Sequence, residues 1–302
     1  MHRLCILAML LAACGGGERP ALRDVADTAG GLAAPVRVAA ISGFDRPESV
    51  LHDAQQDVYF ISNITGDPPA KDGSGFISRM RPDGTLDSLH FVQGGRGGVT
   101  LHAPKGLALT GDTLWVADID AIRGFDRRSG IALATVEVPT SRFLNDLAVG
   151  PDGMLYATES GFRAEPDGSG REAVYRIGPG HRPEKVLTEV PVPNGIARTK
   201  DGAGLLLASF GDAAIREWRP VDGSITAVGE GPGQHDGLAV LDDGRIIASS
   251  WADSSVVVLG PGAAVALIEG LPSPADFEVD RGRGRLVVPL LRENRVEIWA
   301  IR

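Results

Sequence analysis

A six-residue string recurs along this chain, and a chain that repeats itself at such intervals has few folds open to it. Val192-Pro193-Asn194-Gly195-Ile196-Ala197 aligns backward with Phe143-Leu144-Asn145-Asp146-Leu147-Ala148 and with Ala103-Pro104-Lys105-Gly106-Leu107-Ala108. Forward it aligns with Gln234-His235-Asp236-Gly237-Leu238-Ala239 and, more loosely, with Ser273-Pro274-Ala275-Asp276-Phe277-Glu278. The first copy is Arg46-Pro47-Glu48-Ser49-Val50-Leu51. The six copies put Glu48, Lys105, Asn145, Asn194, Asp236 and Ala275 at one equivalent position, spaced by 57, 40, 49, 42 and 39 residues. Blades of a β-propeller fit that period best.

The residues after each copy read as strands. Leu147-Ala148-Val149 leads to a turn at Pro151-Asp152-Gly153 and then to Met154-Leu155-Tyr156-Ala157. Leu238-Ala239-Val240-Leu241 leads likewise to Asp242-Asp243-Gly244 and a second apolar run. Short apolar runs split by Asp-Gly turns are hairpins, because glycine takes a positive φ without a Cβ clash. No long helical pattern interrupts residues 36–302, so the expected fold is all-β, a six-bladed β-propeller. An isolated apolar run at 36–41 precedes the first copy, and the last blade stops one strand short at the C-terminus. Pairing these two would close the ring and hide two sheet edges. A recurrent aromatic in the third strand (Phe125, Tyr175, Trp218, Trp299) reads as packing between blades. Longer glycine-rich stretches at 65–75 and 94–98 read as loops over one face, and a further glycine-rich insertion runs from 161 to 170.

The chain has 302 residues, 40 of them glycine, and a formal net charge of −9. That length could hold two domains, but the regular repeats argue for one closed unit. Net acidity argues against nucleic acid as a partner and suits a cation. Residues 1–13 form a short basic start and an apolar run, ending at Leu11-Ala12-Ala13-Cys14-Gly15. This resembles the lipobox of bacterial lipoproteins and implies a signal peptide at 1–13, acylation at Cys14 and a flexible tether at 14–35. The membrane, reached through that anchor, is then the expected partner. The location expected is the bacterial cell envelope, at the outer membrane or the periplasmic face, and the protein is expected to be a monomer. Cys5 would leave with the leader, so no thiol remains for chemistry.

In a propeller the inner strands line the central channel, so the six equivalent residues form a ring about the axis. Two carboxylates and two carboxamides there offer oxygen donors only, which suits a hard divalent cation, Ca²⁺ better than Mg²⁺. Lys105 puts a positive charge in the same ring. It points away to bind an anionic part of a substrate, or it pairs with Glu48 or Asp236 and replaces the metal. Ala275 brings no polar group unless Asp276 turns inward. Asn and Asp also start inner strands in propellers that hold no ligand.

The ordered set Glu48, Asn145-Asp146, Asn194-Gly195 and Asp236-Gly237 at blade spacing resembles the SMP-30/gluconolactonase/regucalcin family, to which paraoxonase-like propellers are related. The resemblance covers the domain from about residue 36. It implies a divalent metal, Ca²⁺ or another, held by Glu48, Asn194 and Asp236, with Asn145 binding metal or substrate. It also implies hydrolysis of a small-molecule lactone or ester. Such a metal would polarise the carbonyl and stabilise the developing oxyanion. Asp146 is the expected general base, from the Asn-Asp pair, with Asp236 as its rival. His102 and His235 read as exposed or channel-wall residues rather than catalysts.

The competing expectation is a non-catalytic propeller that binds a protein, glycan or small ligand on one face. Other hydrolase and nucleotide-binding signatures are missing: no Gly-x-Ser-x-Gly, His-Glu-x-x-His or P-loop occurs.

Overall fold

In a computed structural model the chain is described over residues 34–161, 171–260 and 263–301. The leader at 1–13, Cys14, nearly all of the tether and most of the 161–170 stretch lie outside the described residues. The rest folds into six four-stranded antiparallel sheets. Five are meanders of consecutive strands. The sixth places the N-terminal strand Val36–Ser42 outside Arg295–Ala300, Arg285–Leu290 and Glu278–Asp280. Val36 pairs with Ala300 and Ser42 with Arg295, so the first strand completes the last blade.

The ring has a second fastening at the axis. The Val50 amide donates to the Asp276 carbonyl at 3.1 Å, and the Asp276 amide to the Glu48 carbonyl at 2.9 Å. Tyr59, fully buried in blade one, donates its hydroxyl to Asp280 of blade six at 2.5 Å.

Six apolar clusters account for most of the core, and each draws from two neighbouring blades. Phe60, Leu114 and Phe125 join blades one and two. Trp115 and Tyr175 join two and three, and Tyr156 and Trp218 join three and four. The remaining three interfaces are built the same way. Burial between blades therefore stabilises the ring as a whole rather than any blade alone.

Glycine follows the ring residue in three repeats because the inner strands crowd there. A Cβ on Gly195 would stand 2.2 Å from the Asp236 carbonyl oxygen, and one on Gly106 would stand 2.3 Å from Asp146 Oδ1.

The blade one–blade six seam gives a direct test. Tyr59→Phe leaves a buried carboxylate without its hydroxyl donor and should cost about 1–3 kcal/mol. Urea unfolding should show this as a lower midpoint at unchanged slope. An unchanged midpoint would remove the hydroxyl from the closure.

Candidate active site on the propeller axis

Five of the six inner strands begin with the same local distortion. Register shifts occur between Pro47 and Val50, Pro104 and Leu107, Leu144 and Leu147, Pro193 and Ile196, and His235 and Leu238. The bulge places two residues against one and turns the ring residue toward the axis. It also frees amides from the ladder, and second-strand hydroxyls take them up. Ser62 Oγ accepts from Ser49, Thr158 Oγ1 from Asp146 and Ser249 Oγ from Gly237, each at 2.9 Å.

The loops entering these strands are tied down from the end of the neighbouring strand. Asp118 accepts the amides of His102 and Ala103 at 3.0 and 2.8 Å. Glu159 accepts the Phe143 amide at 3.0 Å and also holds Ser141 Oγ. In four repeats the residue two before the ring position has a left-handed backbone: Arg46 (φ 53°), Val192 (42°), Gln234 (47°) and Ser273 (52°). For a β-branched residue such as Val192 this is a strained conformation, of the kind that clusters at functional sites.

The result is a cavity of about 420 Å³ at one end of the axis. Glu48, Lys105, Asn145, Asn194 and Asp236 all line it, with Ser160 beside them. Phe143, Phe210 and Trp251 form aromatic walls. Asp67, Pro68 and Pro69 bring the 65–75 loop over the opening.

The polar side chains on the floor are partly satisfied. Trp251 Nε1 donates to Asp236 Oδ2 at 3.0 Å, and Asn145 Nδ2 donates to Ser160 Oγ at 2.9 Å. Asp236 Oδ1 and Glu48 Oε2 are buried and have no hydrogen-bond partner. Two orphaned carboxylate oxygens beside two carboxamides fit a hard cation, since an unpaired buried oxygen is costly unless something positive faces it. Among the described residues no group of three His, Cys, Asp or Glu forms a metal site. The candidate set here is instead two carboxylates, Glu48 and Asp236, with two carboxamides, Asn145 and Asn194.

Lys105 is only 1% exposed, yet it forms no ion pair among the described residues. Its Nζ donates to the Ala103 carbonyl at 3.0 Å and to that of Pro68 at 3.5 Å. It lies 4.4 Å from the centroid of the Phe143 ring. Of the two alternatives read from the sequence, pairing with Glu48 or Asp236 is the one not formed. The ammonium is held by carbonyls and by the ring face.

Asp146 stands apart from the cavity. Its Oδ1 accepts the Leu147 amide at 2.6 Å and its Oδ2 the Ile196 amide of the next blade at 2.7 Å. The carboxylate therefore joins blades three and four. It is near enough to feel the charge of the ring acids, yet it does not line the cavity with them. Asp276 does not turn into the cavity either, since its Oδ2 accepts Ser49 Oγ at 2.5 Å. Ala275 is fully buried and packs with Ile64 and Leu291. His102 Nδ1 accepts the Gly73 amide at 3.0 Å, and His235 is buried against the Ser249 carbonyl at 3.2 Å. Neither histidine lines the cavity.

Several lining residues escaped the sequence reading: Arg46, Phe143, Val192, Phe210, Gln234 and Trp251. Phe210 and Trp251 each follow the last residue of a second strand, Leu205–Ser209 and Ile246–Ser250. Ile64, Ser160 and Leu291 stand at the same position in their blades. A second alignment, on strand ends, would have exposed this tier.

Burial governs the charge state of this region. It pushes the Asp236 carboxyl up to about 8, with the Asp276 charge adding to the rise. It pushes Asp276 and Glu278 up to about 7. Glu48 is held well above the ordinary carboxylate range by burial and then by Asp236, and Asp146 by burial and then by Asp276. Burial acts oppositely on Lys105, lowering it against the opposing pull of Glu48.

Acids raised on folding bind more protons in the folded state than in the unfolded one, between the ordinary carboxylate range and their folded values. Stability therefore falls as pH rises through that window. Buried His235, lowered by burial, pulls the other way but is outnumbered. Chelator-treated protein should melt at lower temperature at about pH 8 than at about pH 5, and Ca²⁺ should raise the midpoint more at the higher pH. A Ca²⁺ response equal at both pH values, or absent, would contradict the cation site.

The comparisons with known proteins agree with this geometry. Residues 47–273 match the family model described as the SMP-30/gluconolactonase/LRE-like region. No curated protein matches the chain. A solved structure provisionally named a gluconolactonase superposes with a TM-score of 0.65 at 17% identity, covering 89% of this chain and 92% of its own. A streptogramin B lyase superposes with a TM-score of 0.60 at 11% identity, covering 90% of this chain and 97% of its own. An inactive variant of virginiamycin B lyase from Staphylococcus aureus, solved with quinupristin, gives 0.58 at 13% identity, covering 87% and 98%. At these identities the superpositions speak to fold alone, whereas the family model spans three quarters of the sequence. The chain belongs to the SMP-30/gluconolactonase/LRE-like family of six-bladed propellers.

Proposed function

We propose that this protein is a divalent-cation-dependent hydrolase that opens a lactone or cleaves an ester in the axial cavity. The observation that carries the reading is the pair of buried, unpartnered oxygens, Glu48 Oε2 and Asp236 Oδ1, in a cavity also lined by Asn145 and Asn194. Glu48, Asn194 and Asp236 would hold the cation, and Asn145 would complete the oxygen set or meet the substrate. A divalent cation bound there supplies Lewis acidity, polarising the carbonyl and stabilising charge on its oxygen.

Asp236 takes the role of general base. The Trp251 indole fixes its orientation through Oδ2 and leaves Oδ1 as the one oxygen that would shift from holding the cation to receiving a proton from the attacking water. The water oxygen bonds to the carbonyl carbon as its proton passes to Asp236. The acyl C–O bond then breaks and the proton passes on to the departing alkoxide, giving an acid and an alcohol. Both oxygens of Asp146 are already engaged by backbone amides, which supports a structural role for it and shifts the base from Asp146 to Asp236. The aromatic walls and the 65–75 loop limit water around the reacting carbonyl.

The test is turnover of a panel including gluconolactone, dihydrocoumarin and phenyl acetate with Ca²⁺ present. Asp236→Asn should lower kcat by about 10²-fold or more. Asp146→Asn should lower the melting temperature while the folded fraction keeps most of its activity. Loss of activity in Asp146→Asn at unchanged stability would return the base role to Asp146. No turnover of any substrate by the cation-loaded protein would favour the alternative, a ligand-binding propeller without catalysis.

A further inference from the structure

Two guanidinium groups line the mouth of the cavity, and the proposed reaction leaves both unused. Arg46 lies two residues before Glu48, its amide bonded to Asn294 Oδ1 at 2.9 Å and its Nη1 to the Gly66 carbonyl at 2.5 Å. Arg292 is exposed in the short 3-10 turn Leu291–Glu293, with its guanidinium carbon 5.1 Å from the Trp251 ring centroid. Asn294 ends that turn, so its bond to Arg46 brings both arginines to one side of the mouth, where blade six meets blade one.

Neither arginine forms an ion pair with a described carboxylate. Many arginines elsewhere are paired with acids, among them Arg123 with Asp118, Arg127 with Asp53, Arg216 with Asp212 and Arg283 with Asp280. What sets Arg46 and Arg292 apart is their place: two guanidiniums without a carboxylate partner among the described residues line one cavity. A guanidinium presents a planar fork of donors matched to a carboxylate or phosphate. Stacking on Trp251 holds one fork in place and lowers the ordering cost of using it.

Below them the cavity is aromatic. Phe210 and Trp251 meet edge-on with centroids 5.6 Å apart, and Phe143 forms another wall above Lys105. The carboxylates of Glu48 and Asp236 line the floor. The cavity therefore has an electrical direction, with the guanidiniums of Arg46 and Arg292 outweighing the Asp67 carboxylate at the mouth, above an aromatic middle.

We propose that the ligand of this cavity is an amphipathic oxyacid. Its aromatic or branched apolar body lies against Phe143, Phe210 and Trp251, and its carboxylate or phosphate is held at the mouth by Arg46 and Arg292. On the hydrolase reading, which this assignment rests on for the reacting group alone, the substrate is an ester or lactone carrying that anionic group at the end remote from its scissile carbonyl.

Titration calorimetry at low ionic strength tests this with three probes: phenylpropanoate, its uncharged amide, and phenylethyl phosphate. The carboxylate should bind about tenfold more tightly than the amide, as charge-assisted bonds to an oxyanion imply. In the Arg46→Gln/Arg292→Gln protein, with circular dichroism confirming the fold, that preference should drop to about threefold or less. Tighter binding of the phosphate than of the carboxylate, lost in the same variant, would identify a phosphate ester as the anionic partner. Equal affinity for carboxylate and amide, no binding of either, or a preference that survives the double substitution would overturn the proposal. Phenyl acetate hydrolysis, followed in parallel, separates the two ideas. Turnover without anion preference overturns this inference and leaves the hydrolase, whereas anion preference without turnover supports the binding mode and removes the hydrolase.

Discussion

Six inner strands can reach one axis only if something small or something useful stands at the point of convergence. Three repeats answer with glycine immediately after the ring residue, where a Cβ would collide with the next blade. Two others place carboxylates there, Asp146 and Asp276, each engaged by donors from a neighbouring strand. The bulge that lets the strands converge also aims the preceding residue into the cavity. Closure and site formation are thus one geometric event. The blade interfaces bury the apolar residues that stabilise the ring, and the ring holds Glu48 and Asp236 out of water.

That arrangement stores electrostatic cost at the centre. Glu48, Asp146, Asp236 and Asp276 are buried close enough to raise one another, and Lys105 is the one cation whose charge opposes Glu48's rise. Lys105 directs its Nζ to carbonyls rather than to the floor acids, so their charge is only partly offset. A protein that buries acids in this way either keeps them protonated or presents them to a cation. The orphaned oxygens at Glu48 and Asp236 mark where the second solution fits. The strained turns at Arg46, Val192 and Gln234 bring larger side chains to the rim above them.

Much of this was legible in the sequence, and the reason is that a propeller writes its geometry as a period. The string around Asn194 identified five of the six inner strands and the ring position in each. The unpaired run at 36–41 and the missing strand at the C-terminus identified the closure. What the period could not carry was the direction of a side chain inside a bulge. Asn145 and Asp146 are neighbours in the chain, yet one faces the cavity and the other reaches sideways to the Ile196 amide. The reading of Asp146 as a base rested on adjacency in sequence, and in the fold both of its oxygens accept backbone amides outside the cavity lining. The aromatic walls and the rim arginines were missed for a different reason. They sit on loops and strand ends, where no hydrophobic pattern marks a position as facing inward.

The central claim is that the two carboxylates on the axis with an unpartnered oxygen, Glu48 and Asp236, hold a divalent cation. Elemental analysis of purified protein, equilibrated with Ca²⁺ and then dialysed into metal-free buffer, tests it most directly against Asp236→Ala. The account predicts about one tightly held ion per chain in the wild type and its loss in the folded variant. No retained ion in either, or equal retention in both, would contradict it.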